Sequence, residues 1–124
     1  MRPNQFMRRK GVRQRKPKGG MNKTEQAYAD LLEGRKLAGE ILGWRYEPYK
    51  LRLADNTYYT PDFMLQLPSG EIQLHETKAC KADGTLLAED DAMVKIKVAA
   101  ELYPEFQFCL VGKHRSVWKY DWLR

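Results

Sequence analysis

The chain has 124 residues, 43% of them hydrophobic, which is enough for one domain with a modest core and too few for two domains. Its net charge of +6 is uneven, because residues 1–20 carry eight of the 22 basic side chains and none of the 16 acidic ones. No stretch is apolar and long enough for a transmembrane helix, and the basic leader lacks the apolar run of a secretory signal. The two cysteines have no metal-type spacing, so we expect reduced thiols in a cytoplasmic setting.

Residues 1–20 are rich in arginine, lysine, glycine and proline, and few of their side chains would gain from burial. We therefore expect a disordered basic arm over residues 1–20 and a folded domain over residues 21–124. Arms of like charge bind nucleic acid through phosphate contacts and counterion release, which supplies affinity without sequence recognition. We expect this arm to contact DNA or RNA. The alternative is a solvated tail that aids solubility or binds acidic partners nonspecifically.

A first helix is predicted to begin at Asn22 or Thr24, residue types that cap helix N-termini, and to end between Gly39 and Leu42. Glu25 lies in its first turn, where a carboxylate complements the helix dipole. On local grounds alone, Glu25 therefore needs no role beyond stabilising the helix end.

Residues 44–53 are predicted to be extended, because Pro48 and its aromatic neighbours disfavour a helix. The proline also favours an edge strand or a bend at this point. Asp55-Asn56 is a turn signal that separates this segment from the next strand.

Two further strands, over residues 59–67 and 71–79, are predicted to pair antiparallel through a turn at residues 68–70. In that hairpin Asp62 lies near the level of Glu76-Thr77-Lys78. Side chains two residues apart in a strand point to the same face, so Glu76 and Lys78 project together. The sequence therefore predicts two acids and one base at one end of the hairpin.

Hydrolysis of a phosphodiester requires carboxylates that hold a hard divalent cation and a positive group near the attacking water or the phosphate. Asp62, Glu76 and Lys78 supply these groups, and the carbonyl of Thr77 could also reach the metal, as backbone oxygens do for hard cations. His75 adjoins Glu76 but is predicted to point to the opposite face of the strand. This orientation argues against His75 as a metal ligand.

The C-terminal part continues the alternation of elements. Residues 81–87 are predicted to form a loop beside the end of the hairpin, and residues 89–102 a second helix that stops before Pro104. Residues 106–112 are predicted to form a further strand. Residues 117–122 form either one more strand or a short helix, with aromatic side chains that we assign to the core in preference to base stacking.

Pro61-Asp62, a hairpin and then Glu76-Thr77-Lys78, with a helix before and after, resembles the PD-(D/E)XK nuclease superfamily. The likeness is greatest to small phage-encoded endonucleases related to Holliday-junction resolvases, and it runs from about residue 22 to residue 110. It implies an α/β fold with an αβββαβ restriction-endonuclease-like core, in which a mixed central sheet is flanked by helices.

The resemblance also implies further site residues. An acid of the first helix often joins the metal in this superfamily, which adds Glu25 as a ligand. The helix after the hairpin commonly offers a polar or basic residue, which indicates Lys95 or, second, Lys97; the alternative is a solvated lysine pair. The predicted catalytic residues are Glu25, Asp62, Glu76, Lys78 and Lys95, and the predicted metal ligands are Glu25, Asp62, Glu76 and Thr77.

We therefore expect an endodeoxyribonuclease that depends on Mg²⁺ or Mn²⁺, acts on DNA in the cytoplasm of a phage-infected or bacterial host cell, and has no membrane partner. Its products would carry 5′-phosphates, and branched or Holliday-junction DNA is the substrate that the resemblance suggests. Symmetric cutting of two strands would call for a homodimer. The alternatives are a non-catalytic nucleic-acid-binding protein on a nuclease-like fold and a basic nucleoprotein component whose arm is its main functional part.

Overall fold

The computed structural model describes residues 9–17, 19–86 and 90–123. Within them the chain is mixed α/β, with two helices and two sheets. The helices are α1 (Lys23–Leu37) and α2 (Asp90–Leu102). The strands are β1 (Val12–Gln14), β2 (Gly43–Tyr46), β3 (Tyr49–Ala54), β4 (Thr57–Tyr59), β5 (Phe63–Gln66), β6 (Ile72–Thr77), β7 (Gln107–His114) and β8 (Val117–Leu123).

The larger sheet has five strands in the order β2-β5-β6-β7-β8. β5 and β6 form the predicted antiparallel hairpin, with Phe63 opposite His75, and Gly70 (φ 92°) supplies the left-handed residue of its turn. β6 and β7 run parallel, because α2 carries the chain back across the sheet between them. β8 is a strand, which decides between the two structures that its sequence allowed.

Each face of this sheet is covered by one helix. On one face of the sheet, α1 packs through Tyr28 and Leu32 against Phe63. On the opposite face, α2 packs through Ile96 against Leu74. Successive side chains of a strand alternate between faces, so the odd-numbered residues of β5 and β6 face α1 and the even-numbered ones face α2. This alternation assigns Glu76 and Lys78 to the α2 side and His75 to the α1 side.

The smaller sheet has the order β1-β3-β4 and packs on the α2 side of the molecule. β1 lies within residues 1–20, which were predicted to form a disordered arm. For residues 12–14 that prediction is wrong. Val12 pairs with Leu51 and is buried in the same cluster as Tyr103, so the strand is held by a ladder and by core packing together.

The extended segment predicted over residues 44–53 consists of two strands that belong to different sheets. The chain breaks at Glu47, whose backbone is left-handed (φ 44°), immediately before Pro48. A non-glycine residue rarely adopts this conformation, and here it turns the chain from one sheet into the other. No helix among the described residues is long and apolar enough to cross a membrane.

Candidate metal centre

Asp62 lies just before β5, next to the last residues of β6. The backbone N–H and the hydroxyl of Thr77 both donate to Asp62 Oδ2, each at 2.9 Å. This double contact follows from the hairpin register, because continuing the ladder by one residue sets Asp62 opposite Glu76. The structure therefore brings Asp62 and the Glu76-Thr77-Lys78 segment together, as the strand pattern predicted.

Glu76 is buried between two donors on the α2 side of the sheet. The hydroxyl of Tyr59 donates to Glu76 Oε1 at 2.9 Å, and Lys78 Nζ lies 3.1 Å from Glu76 Oε2. Burial and the adjacent Glu76 carboxylate hold the pKa of Tyr59 well above its ordinary value, so this phenol keeps its proton and remains a donor. Glu76 therefore has a fixed position with both of its oxygens engaged.

Three carboxylates form a second group that shares Asp62 with the first. Oxygen atoms of Glu25, Glu47 and Asp62 lie within 4.8 Å of one another. Glu25 reaches this group from the first turn of α1, where it also forms a capping box: its carboxylate accepts the N–H of Asn22 at 2.9 Å, and the Asn22 side chain accepts the N–H of Glu25 at 2.8 Å. The two interpretations of Glu25 are thus compatible, since one carboxylate both caps α1 and faces two other acids.

Glu47 is the acid that sequence reasoning missed. Its N–H donates to the carbonyl oxygen of Asp62 at 2.7 Å, which fixes the β2–β3 turn beside the hairpin. Arg15 contacts the Glu47 carboxylate at 3.2 Å. No local pattern marks Glu47 as a site residue, because both of these contacts join parts of the chain that are distant in sequence.

The electrostatics of the group favour cation binding. Burial first, and then the neighbouring Glu76 carboxylate, raise the pKa of Asp62 to about 7, although the two Thr77 hydrogen bonds oppose this shift. Among the described residues, neither Asp62 nor Glu25 forms an ion pair. Several carboxylates that repel one another and lack sufficient positive partners are the donor set that a hard divalent cation prefers.

The structure does not bring every predicted residue into the group. Lys95 and Lys97 are exposed on α2, and among the described residues neither forms an ion pair with the acids of the site. His75 is buried on the α1 side, where it bonds to Tyr28 and Gln73 and burial lowers its pKa to about 3. As predicted, His75 points away from Glu76.

Replacing Tyr59 by Phe will destabilise the metal-free protein by about 1–3 kcal/mol, because the buried Glu76 oxygen then loses its donor. Urea denaturation at pH 7 measures this loss. Tyr58→Phe is the matched control, since the Tyr58 ring keeps its contacts with Lys50 and Arg13. Equal stabilities of the two variants would contradict the assigned Tyr59–Glu76 bond.

At the end of the β5–β6 hairpin, the carboxylates of Glu25, Glu47 and Asp62 lie together. The Glu76–Lys78 pair is outside this group of three and adjoins Asp62 through the intervening Thr77. Such a set can hold a divalent cation and place an ammonium group next to it. Comparisons of the chain with protein-family models, with curated proteins and with solved structures found no significant match.

Proposed function

We propose that the protein is an endonuclease of the PD-(D/E)XK type, which hydrolyses phosphodiester bonds of DNA with Mg²⁺ or Mn²⁺. The observation that carries the proposal is the meeting of Asp62, Glu76 and Lys78 at the end of one hairpin, with Glu25 reaching Asp62 from α1. Carboxylates beside a lysine serve the hydrolysis of an anionic ester, which needs both a metal and a positive group.

The order of elements supports the same proposal. α1 is followed by β2, β5 and β6, which are neighbours in the central sheet, then by α2 and by β7 parallel to β6. This order is compatible with the αβββαβ pattern that the resemblance implies, if β3 and β4 are taken as an insertion after the first strand, and the agreement supports the proposal. The acids lie at the ends of the second and third strands of that order, where the resemblance places them.

In the proposed mechanism, Asp62, Glu76 and the Thr77 carbonyl would hold the cation, and the carboxylates of Glu25 and Glu47 would add further oxygen donors. When bound, the cation would polarise the scissile phosphate and lower the pKa of a bound water. Lys78 is held beside Glu76, where its ammonium group orients the attacking water or stabilises the charge that develops on the phosphate. The Thr77 hydrogen bonds keep Asp62 oriented towards the site.

Purified protein will cleave DNA with Mg²⁺ or Mn²⁺ and will not cleave it with EDTA. At low concentrations of the cation, cleavage will increase as the pH rises towards about 7, because a proton competes with the cation for the Asp62 carboxylate, and higher concentrations of the cation will move this rise to lower pH. The assay compares a four-way junction, a flap, a single strand and a linear duplex, so that it also tests the proposed preference for branched DNA. Binding without cleavage of all four substrates, with either metal, would overturn the proposal.

A further inference from the structure

A cavity of about 690 Å³ lies beside the acidic group, between β2 and the chain that follows β1. Its volume is within the range of pockets that hold small organic ligands. Its walls come from two distant parts of the sequence, residues 14–17 and 19–21 on one side and residues 44–46 with Pro48 on the other, together with Gln26 of α1. One wall begins at Gln14, the last residue of β1, which pairs with Tyr49 of β3.

Two wall residues connect this cavity with the acidic group. Arg15 contacts Glu47 at 3.2 Å, and its backbone N–H donates to the Pro48 carbonyl at 2.9 Å. Burial first, and then the nearby Glu25 carboxylate, raise the pKa of the Tyr46 phenol, so Tyr46 borders the acidic group. A ligand in the cavity would therefore lie next to a cation held by Glu25, Glu47 and Asp62.

The charge of the cavity is opposite to that of its neighbour. None of its described wall residues is acidic, and Lys16 and Arg45 are exposed basic residues that add to Arg15, whose charge is shared with Glu47. An anion would therefore be attracted to this cavity, whereas the adjoining carboxylates attract a cation.

The same cavity has flat aromatic walls. Trp44 and Tyr46 line it, and both are half-buried with their rings packed on Phe63. The indole N–H of Trp44 donates to Glu33 at 2.9 Å, so the ring is held in place and does not have to be ordered when a ligand binds. A preorganised aromatic wall next to basic side chains fits a planar group that carries a phosphate.

We infer that this cavity binds an unpaired nucleotide of the DNA strand that is cut, with the base against Trp44 and Tyr46 and the adjoining phosphates on Lys16 and Arg45. The statement that the bound nucleotide belongs to the DNA strand that is cut rests on the proposed nuclease function. A base inside a duplex is stacked on both faces and cannot enter the cavity, so the protein is expected to act where bases are unpaired. This names single-stranded segments, including those of branched DNA, as the substrate class.

The first test uses the fluorescence of Trp44 in an Asp62→Asn protein in which Trp118 and Trp122 are replaced by Phe, which leaves one of the three tryptophans. An oligothymidylate of about 12 nucleotides is expected to quench this fluorescence, and a blunt duplex of the same length is not. Quenching that is equal for both probes, or absent for both, would overturn the inference. If this variant fails to fold, the same titrations compare Asp62→Asn with Asp62→Asn/Trp44→Phe, where the single-strand quenching should be lost.

The second test distinguishes binding in the cavity from nonspecific attraction between DNA and basic side chains. The double variant Lys16→Ala/Arg45→Ala should weaken oligothymidylate binding about tenfold or more. The control is Lys50→Ala/Arg52→Ala, which removes the same charge from exposed positions on β3 outside this cavity. This control should weaken binding about threefold or less. Equal losses in the two variants would overturn the inference.

Neither test depends on cleavage. If the protein binds single strands selectively but the native form cuts no DNA, the inference about the cavity stands and the proposed nuclease function is wrong. If the native protein cuts DNA but the fluorescence shows no selective quenching, the nuclease function stands and the inference about the cavity is wrong.

Discussion

Replacing Asp62 by Asn will abolish the proposed DNA cleavage and will also stabilise the metal-free protein at neutral pH. Loss of a metal ligand should reduce the cleavage rate by more than about a thousandfold. The stabilisation arises because the introduced amide keeps an oxygen that can accept both Thr77 hydrogen bonds, yet carries no charge to repel Glu25, Glu47 and Glu76. DNA binding should be retained or strengthened, since a negative charge near the phosphates is removed.

The pH dependence of this stabilisation has a definite sign. In the folded protein Asp62 keeps its proton up to about pH 7, whereas the unfolded chain loses it near the ordinary pKa of 3.8. The free energy of unfolding of the native protein therefore falls as the pH rises from about 4 to about 7. The advantage of Asp62→Asn should be near zero at pH 4 and on the order of 2–4 kcal/mol at pH 8.

Urea denaturation of both proteins in EDTA, repeated with excess Mg²⁺, measures these effects. Mg²⁺ should raise the stability of the native protein and not that of the variant, because only the native protein retains the ligand. Asp55→Asn is the matched control, as Asp55 lies exposed in the turn between β3 and β4. A stability difference that does not vary with pH would show that Asp62 is not the strained acid of the group.

Deleting residues 1–17 will lower the thermal stability of the protein as well as its affinity for DNA. The deletion removes the β1 ladder, the burial of Val12 and the ion pair between Arg9 and Glu105. Burial of one valine alone contributes about 1.5 kcal/mol, so we expect a total loss of several kcal/mol. The weaker binding is expected because the deletion removes basic side chains that we propose contact phosphates.

Two point variants separate these effects. Val12→Ala should reduce stability by about 1–2 kcal/mol without changing the salt dependence of DNA binding, because no charge is altered. Lys16→Gln should flatten the salt dependence and leave the melting temperature nearly unchanged, since Lys16 is exposed. An unchanged melting temperature after the full deletion would contradict the role assigned to β1.

The elements that were predicted from sequence are those specified by neighbouring residues. The β5–β6 hairpin follows from apolar alternation around one turn, and the start of α1 follows from the capping pattern of Asn22 and Glu25. β1 was not predictable in this way. It has three residues in a basic segment, and it is a strand because β3 and the core beneath Val12, distant in sequence, complete it.

The same distinction applies to the candidate site. Strand parity and one turn were sufficient to place Asp62 near Glu76 and Lys78. Glu47 and Tyr59 were not identified, because their contacts with Asp62 and Glu76 depend on how β2, β3 and β4 are arranged between two sheets. A sequence pattern indicates which residues share one face of a helix or strand. It does not indicate which helices and strands pack against one another.

The attachment of β1 also has a consequence for the order of folding. Arg9 contacts Tyr103 and Glu105, and Arg52 donates its backbone N–H to the Gly11 carbonyl, so residues 9–11 are fixed by residues that are distant in sequence. Contacts of such sequence separation form late, because a long loop must close first. During synthesis β1 therefore cannot pair until β3 has emerged, and Arg9 cannot be fixed until the residues up to position 105 have followed.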